Sequence, residues 1–473
     1  MSSPEVDLLT IARGTVTAPA GCGKTHLIAN ALGRHTDPKP VLVLTHTNAG
    51  VAALRARLGK AGVPPRQYRI VTIDGWSMRL ASMFPQRSGC HANVLELKNP
   101  GRDYPTIRNA AIELLCGNHI TDLIAATYSR LIVDEYQDCS RPQHAIIMAV
   151  AEMLPVCALG DPLQAIFGFG GDELPDWDRD VCGDLPVCGE LKNPWRWINA
   201  GTQKFGEWLL GIRQSLLSSR PIDLRTAPEN VRWVEIDGKD DHTKRLNTIN
   251  DMRRNREHKV IVIADSRNKQ GQQRFASQIR GASTVEAVDL RDLTDFAASF
   301  NPAMSGAFHA VISFAEKVMT DINFDDLVAR LKSIAAKTNR LEPTEVELAC
   351  FGMLEKKDYQ SCADLLVALN RQAGTHVYRP AVFRACLKAL QMCAEDNNIN
   401  FSNAVIQMRE QNRLVGRPLP DVAVGSTLLL KGLEAECAVI LETEKMNANN
   451  LYVAMTRGAV SLAICSRSPI INS

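Results

Sequence analysis

Short runs of consecutive apolar residues alternate with segments of helical period along the first third of the chain. They are Thr15-Val16-Thr17, Val41-Leu42-Val43-Leu44, Ile70-Val71-Thr72-Ile73, Leu131-Ile132-Val133 and Val156-Cys157-Ala158-Leu159. A strand covered on both faces reads as a continuous apolar run, whereas a half-exposed strand alternates, so this pattern predicts a parallel sheet flanked by helices. Ligands of such sheets bind beyond the carboxyl ends of the strands, where this chain's polar motifs lie. A second set of runs begins at Lys259-Val260-Ile261-Val262-Ile263 and resumes after Pro420 with Ser426-Thr427-Leu428-Leu429-Leu430, Cys437 to Leu441 and Leu462 to Cys465. Between about 300 and 415 the period is helical, in DDLVARLKSI, CADLLVALN, AVFRACLKALQMCA and FSNAVIQMRE, without an internal repeat.

The most informative polar stretch is Ala18 to Thr25, APAGCGKT, between the first apolar run and a helical pattern. This context suits a phosphate-binding loop. Ala18, Gly21, Cys22 and Gly23 let backbone N–H groups curl round phosphates, Lys24 supplies a point charge, and the Thr25 hydroxyl is placed for Mg²⁺. The helix that follows adds the positive end of its dipole. Ala18 departs from the usual glycine, and a phosphate loop alone leaves kinases, transporters and GTPases open.

Later stretches narrow the choice. Leu131 to Asp138, LIVDEYQD, puts Asp134 and Glu135 directly after a buried strand, where one carboxylate can hold Mg²⁺ and the next can activate water. After Val156 to Leu159 come Gly160-Asp161-Pro162 and Gln164, the latter placed to sense phosphate or water, then Phe167 and Phe169 among glycines, where stacking on bases competes with core packing. Thr45, Thr47 and Asn48 can hold a phosphate or sugar of a nucleic acid, or simply cap the next helix. Trp76 in TIDGW can stack on a base or fill the core. Arg196 in NPWRW, between two indoles, reads as a stacked surface arginine or as an arginine finger. Arg457 follows a short helical pattern near the C-terminus. Lys244 to Arg280 forms a basic stretch, either a solvated face or a phosphate-tracking edge.

Composition adds limits. With a formal net charge of +2, nucleic-acid binding must come from local clusters rather than overall basicity. The 13 cysteines are scattered without a Cys-x-x-Cys pair, which points to reduced thiols in a cytoplasmic protein rather than a zinc or disulfide framework. No apolar run is long enough for a membrane span, and the acidic N-terminus is not a signal peptide.

In order and spacing these stretches resemble the motifs of superfamily 1 helicases of the UvrD/Rep group. APAGCGKT is similar to motif I, THTNAGVAALRARL to Ia, TIDGW to Ib, LIVDEYQD to II, GDPLQAIFGFGGD to III, NPWRW to IV, STLLLKGLEAE to V and LYVAMTRG to VI. The resemblance implies two RecA-like domains with parallel sheets, over 1–195 (with a small helical insertion at about 86–125) and over 196–290 with 420–473, plus a mainly helical accessory insertion at 291–419. It further implies ATP and Mg²⁺, with Lys24, Thr25, Asp134, Glu135 and Gln164 from the first domain. Arg196 at the boundary and Arg457 from the second domain would contact the γ-phosphate, and Glu434 would hold the ribose. Thr45, Thr47, Asn48, Trp76, Phe167 and Phe169 would contact single-stranded or partly duplex DNA, with 3′ to 5′ movement.

Three departures stand out. No glutamine precedes the phosphate loop, Gly170 replaces the usual arginine of motif III, and Leu428 the usual histidine of motif V. The sequence ends about 16 residues after Arg457, which predicts that any nuclease is a separate chain. A short UvrD-like chain with TIDGW resembles the helicase-like subunit of the Gabija anti-phage defence system, which acts beside a separate nuclease. The alternative is a DNA-sensing ATPase subunit that regulates a partner nuclease without processive unwinding.

Overall fold

The first sheet has six strands, β1 (Arg13–Thr17), β2 (Val41–Thr45), β3 (Tyr68–Thr72), β4 (Arg130–Val133), β5 (Val156–Gly160) and β6 (Val187–Glu190). Their spatial order is β3-β2-β4-β5-β1-β6, and every pairing is parallel. The computed structural model describes residues 5–472 except 169–172, 254–256, 288, 397 and 415–418, and the side chains of 412–414 are likewise outside the description. The continuous apolar runs did become central strands: β2 and β5 are buried along their whole length. Helices cover both faces and create two apolar layers, one around Val16, Ile28, Leu32 and Val43, the other around Leu42, Leu131, Ile146 and Val150.

The expected run Ile70 to Ile73 is strand up to Thr72, the last residue of β3, and Thr72 also caps the helix Ile73–Met83 by accepting a hydrogen bond from Gly75 N, so Trp76 follows the strand end on a helix. Ser426 likewise caps a short helix, Thr427–Leu430, where the apolar run predicted a strand; the strand precedes it, at Val422–Gly425. Short apolar runs do not distinguish the two states, and a serine or threonine at the N-cap decided both.

After the short strand β7 (Ile222–Asp223) come β8 (Val231–Glu235), β9 (Val260–Ile263), β10 (Ala282–Thr284), β11 (Val422–Gly425), β12 (Ala435–Ile440) and β13 (Gly458–Ser466). These form a second six-stranded sheet, ordered β10-β11-β9-β12-β13-β8, in which β10, β11, β9 and β12 pair in parallel. β14 (Ile470–Ile471) pairs antiparallel with β7. The fold is therefore α/β, with two RecA-like sheets, and the sequence between β10 and β11 supplies the helical insertion. Its helices Phe324–Ala335, Tyr359–Arg371, Pro380–Glu395 and Phe401–Leu414 carry the four patterns named above. They share one apolar core that includes Leu366, Phe383, Leu390 and Phe401.

Compact unit 1 comprises 1–231, 446–460 and 470–473, and compact unit 2 comprises 232–445 and 461–469. Segment 446–460, which carries Arg457, falls in unit 1, while β13, which begins at Gly458, is a strand of the second sheet. Inside unit 2, buried Arg379 pairs with Glu286 at 2.7 Å and also reaches Asp292, tying the helical insertion to the end of β10. The 13 cysteines are unpaired with one another and most are buried. No helix among the described residues is long and apolar enough to cross a membrane.

Candidate nucleotide site in unit 1

The loop Ala18–Gly23 leaves β1 and turns into the helix Lys24–Arg34. Two glycines make the turn possible. Gly21 (φ 72°) and Gly23 (φ 88°) are left-handed, and a Cβ on Gly21 would come within 2.4 Å of the Trp197 ring. The ends of the loop are anchored, since Ala18 N donates to Gly160 O at 2.8 Å and Arg196 N donates to Gly21 O at 3.0 Å. Ala18 and Cys22 are buried, so only their backbone can face a ligand. Burial pushes the Cys22 thiol up to about 12, which keeps it protonated and inert.

Lys24 begins the helix and points its ammonium at the acidic pair that follows β4. Its Nζ lies 2.6 Å from Glu135 Oε2 and 3.4 Å from Asp134 Oδ1. The fields of the two carboxylates outweigh the cost of burying Lys24, so its pKa is raised and the ammonium persists. Burial dominates at Asp134 and raises its pKa, with Lys24 pulling the other way. Glu135 itself is left-handed, with φ 56° and ψ 44°. A non-glycine residue there costs roughly 1–2 kcal/mol, a strain typical of functional positions. Gln137 holds the strained turn: its Nε2 donates to Glu135 Oε2 at 2.7 Å while its Oε1 accepts from Asp161 N at 3.1 Å.

Phosphate loop, lysine and two carboxylates thus meet at the carboxyl ends of β1 and β4. Residues 96–175 match the UvrD/REP helicase N-terminal domain. The matched UvrD/REP segment contains Asp134, Glu135, Asp161 and Gln164, while the phosphate loop precedes it. The match supports a superfamily 1 helicase. Among solved structures, the Pif1 helicase from Candida albicans is similar over 98% of this chain and 94% of that chain, at 13% identity and a TM-score of 0.38. That likeness is too loose to bear on substrate or direction. No match was found among curated proteins.

Motif III lies beside motif II. Asp161 is wholly buried and forms a two-pronged ion pair with Arg213, NH1 to Oδ2 and NH2 to Oδ1, both at 2.9 Å. It also accepts from Gln164 Nε2 at 2.9 Å. The Arg213 guanidinium stacks 5.1 Å from the centre of the Tyr452 ring, and the Tyr452 hydroxyl accepts from Ala20 N at 3.3 Å. Motif III, the helix Gln203–Leu217, motif VI and the phosphate loop are linked by this chain of contacts. Arg213 and Gln137 were missed in the sequence. One signal was present for Arg213, which falls among buried Leu209, Ile212 and Leu216 on the apolar stripe of its helix.

The other expected residues divide. Arg196 stacks 5.3 Å from the centre of the Trp197 ring, donates to Thr456 O, and sits beside the phosphate loop. Arg457 is buried, with Nε donating to Val453 O at 2.7 Å and NH2 to Thr456 Oγ1 at 3.0 Å, so its guanidinium is folded onto its own helix. Glu434 is in unit 2, in the turn before β12. Thr47 and Asn48 are exposed beyond β2, with the Thr47 hydroxyl capping the helix Asn48–Lys60 through Gly50 N. Thr45 is buried against Gly50, where a Cβ would lie 2.7 Å from its Oγ1, so it presents no group to DNA. Trp76 corrects the reading in the same way: it is 2% exposed and packs with Leu42, Leu44 and Leu80, so no base can stack on its ring. Phe167 is half-buried and lies 5.3 Å from His46, ring centre to ring centre. Phe169 and Gly170 lie outside the described residues. Trp195, passed over in the sequence, is 46% exposed and lies against Gly23, where a Cβ would come within 3.0 Å of it.

Proposed function

We propose that this protein is an ATP-driven DNA motor of the UvrD/Rep type, converting ATP hydrolysis into 3′ to 5′ movement on single-stranded DNA. The observation that carries this reading is the Lys24–Asp134–Glu135 cluster at the mouth of a phosphate loop, backed by the Asp161–Arg213–Tyr452 chain. Backbone N–H groups of 20–25 and the Lys24 ammonium bind and orient the phosphates. The donor set fits Mg²⁺: Asp134 Oδ1 is buried and, beyond the 3.4 Å approach of Lys24 Nζ, makes no hydrogen bond among the described residues, and Thr25 lies in the first turn of the helix beside it. Asp134 and Thr25 would hold the ion, which supplies charge neutralisation on the phosphate oxygens.

Glu135 is the base that takes the proton of the attacking water. Gln137 orients its carboxylate, and Gln164, tethered to Asp161, reports the state of the γ-phosphate to motif III. Arg196 is the arginine finger nearest the loop, with Arg457 the second candidate. Trp195 offers an exposed indole for the adenine. Thr47, Asn48 and Phe167 form the DNA-facing rim.

The test is the steady-state ATPase rate of the purified protein with and without single-stranded DNA, beside Glu135→Gln. Strong stimulation that the variant loses supports the motor, and a wild-type rate that ignores DNA overturns it. Forked-duplex unwinding of both polarities then separates a translocating helicase from the DNA-sensing subunit. A place beside a separate nuclease in anti-phage defence rests on the sequence resemblance to the Gabija subunit.

A further inference from the structure

β3 is one of the two outer strands of the first sheet, and a cavity of about 520 Å³ opens along it, lined by Arg55, Arg69, Arg79, Trp76, Tyr128, Pro40 and Thr127 among others. Pro40 and Thr127 precede β2 and β4, so this cavity lies towards the amino ends of the strands, whereas the phosphate loop and acidic pair follow the carboxyl ends. All of its residues belong to unit 1.

Three exposed guanidinium groups line it, and no carboxylate does. Among the described residues none of the three is in an ion pair, although arginine–carboxylate pairs are plentiful elsewhere in the chain, such as Arg108 with Asp74 and Arg34 with Asp7. Two are held in place by backbone carbonyls. Arg55 NH2 donates to Ile70 O at 3.1 Å, on β3, and Arg69 NH1 donates to Pro65 O and Tyr68 O at 3.2 Å. Covering the open edge of a strand needs one charged side chain, not three facing a cavity. Like charges gathered without counter-ions repel one another, and a phosphate satisfies several guanidinium forks at once.

We propose that this cavity is a second nucleic-acid contact, in which Arg55, Arg69 and Arg79 grip the phosphodiester backbone of DNA away from the ATP-hydrolysing centre. The proposal rests on the reading of the protein as a DNA motor. It deepens that reading by giving the strand, or the duplex next to it, a handhold that does not depend on the nucleotide state. A chain of net charge +2 has to gather its phosphate contacts locally, and this is such a gathering.

The experiment is fluorescence-anisotropy binding of a duplex with a single-stranded tail, over a series of salt concentrations, for the wild type and Arg55→Gln/Arg79→Gln. Both substitutions are at exposed positions, and circular dichroism checks that the fold is kept. The expected result is a five- to tenfold weaker Kd and a salt slope smaller by about 2, since each lost phosphate contact removes roughly 0.9 from it. ATPase at saturating short oligonucleotide should be unchanged, because neither arginine is placed in the hydrolytic centre. Unchanged affinity and slope overturn the proposal while leaving the motor reading intact; failure of the wild type to bind DNA overturns both. A third outcome overturns it in favour of a free phosphate ligand: unchanged DNA binding, with inorganic pyrophosphate raising the Tm of Lys24→Ala but not that of the same protein carrying Arg55→Gln/Arg79→Gln.

Discussion

Asp161 and Arg213 lock together through two 2.9 Å contacts, with the carboxylate wholly buried, and that pair stands between motif III and the tyrosine that touches the phosphate loop. Removing one partner leaves an uncompensated buried charge. Arg213→Ala should therefore cost about 3–5 kcal/mol of stability, read as a lower urea midpoint. Arg213→Lys keeps the charge but not the fork, so it should recover part of the stability and less of the ATPase activity.

Lys24→Ala should abolish ATP hydrolysis, and Glu135→Gln should lower kcat by about 10²–10⁴-fold while ATP still binds. Equilibrium binding of a fluorescent ATP analogue beside the turnover assay separates the two. A Lys24→Ala protein that turns over ATP at the wild-type rate would place the chemistry elsewhere.

Trp195 has little to do in the core, being 46% exposed against Gly23. Loss of its ring should weaken base stacking by about 1–3 kcal/mol. Trp195→Ala should accordingly raise the KM for ATP by roughly tenfold or more with kcat little changed, and should relax discrimination between ATP and other nucleoside triphosphates.

Gly21→Ala puts a methyl group 2.4 Å from the Trp197 ring at a left-handed position. The expected outcome is a folded protein with ATP binding lost, because the Trp195–Trp197 segment has to move off the loop. Circular dichroism and nucleotide binding measured together check this.

Asp74 supplies a pH prediction. Burial raises its pKa, but hydrogen bonds and charge from Arg108 win, so the folded value is lowered. A depressed folded pKa adds stability above the unfolded value of about 3.9, and that stability is lost as pH falls through the folded value. The Tm should drop below about pH 4, more steeply in the wild type than in Asp74→Asn, whose drop at neutral pH is paid in advance.

Local chemistry was legible in the sequence because its causes are local. A buried parallel strand must be apolar at successive positions, so the strands of the first sheet could be read from Val41–Leu44, Leu131–Val133 and Val156–Leu159. A phosphate loop needs its glycines and its lysine within eight consecutive residues, and the acidic pair must follow a strand end. The sequence alone therefore determined the α/β class, the glycine-rich loop between β1 and its helix, and the place of Asp134 and Glu135 directly after β4.

Choices between two environments for the same residue type were left to the tertiary structure. Trp76 and Trp195 are both indoles beside motif residues; the first is buried by Leu42, Leu44 and Leu80 and the second is left in the open against Gly23. Thr45 is shielded by Gly50 while Thr47, two residues on, is exposed at a helix cap. Arg213 finds Asp161 across 52 positions of sequence, and residues 446–460 join a unit made mostly of residues 1–231. The physical reason is the same in each case. Burial and ion pairing are set by which surfaces meet when the chain closes on itself, and that depends on distant residues rather than on the spacing within any motif.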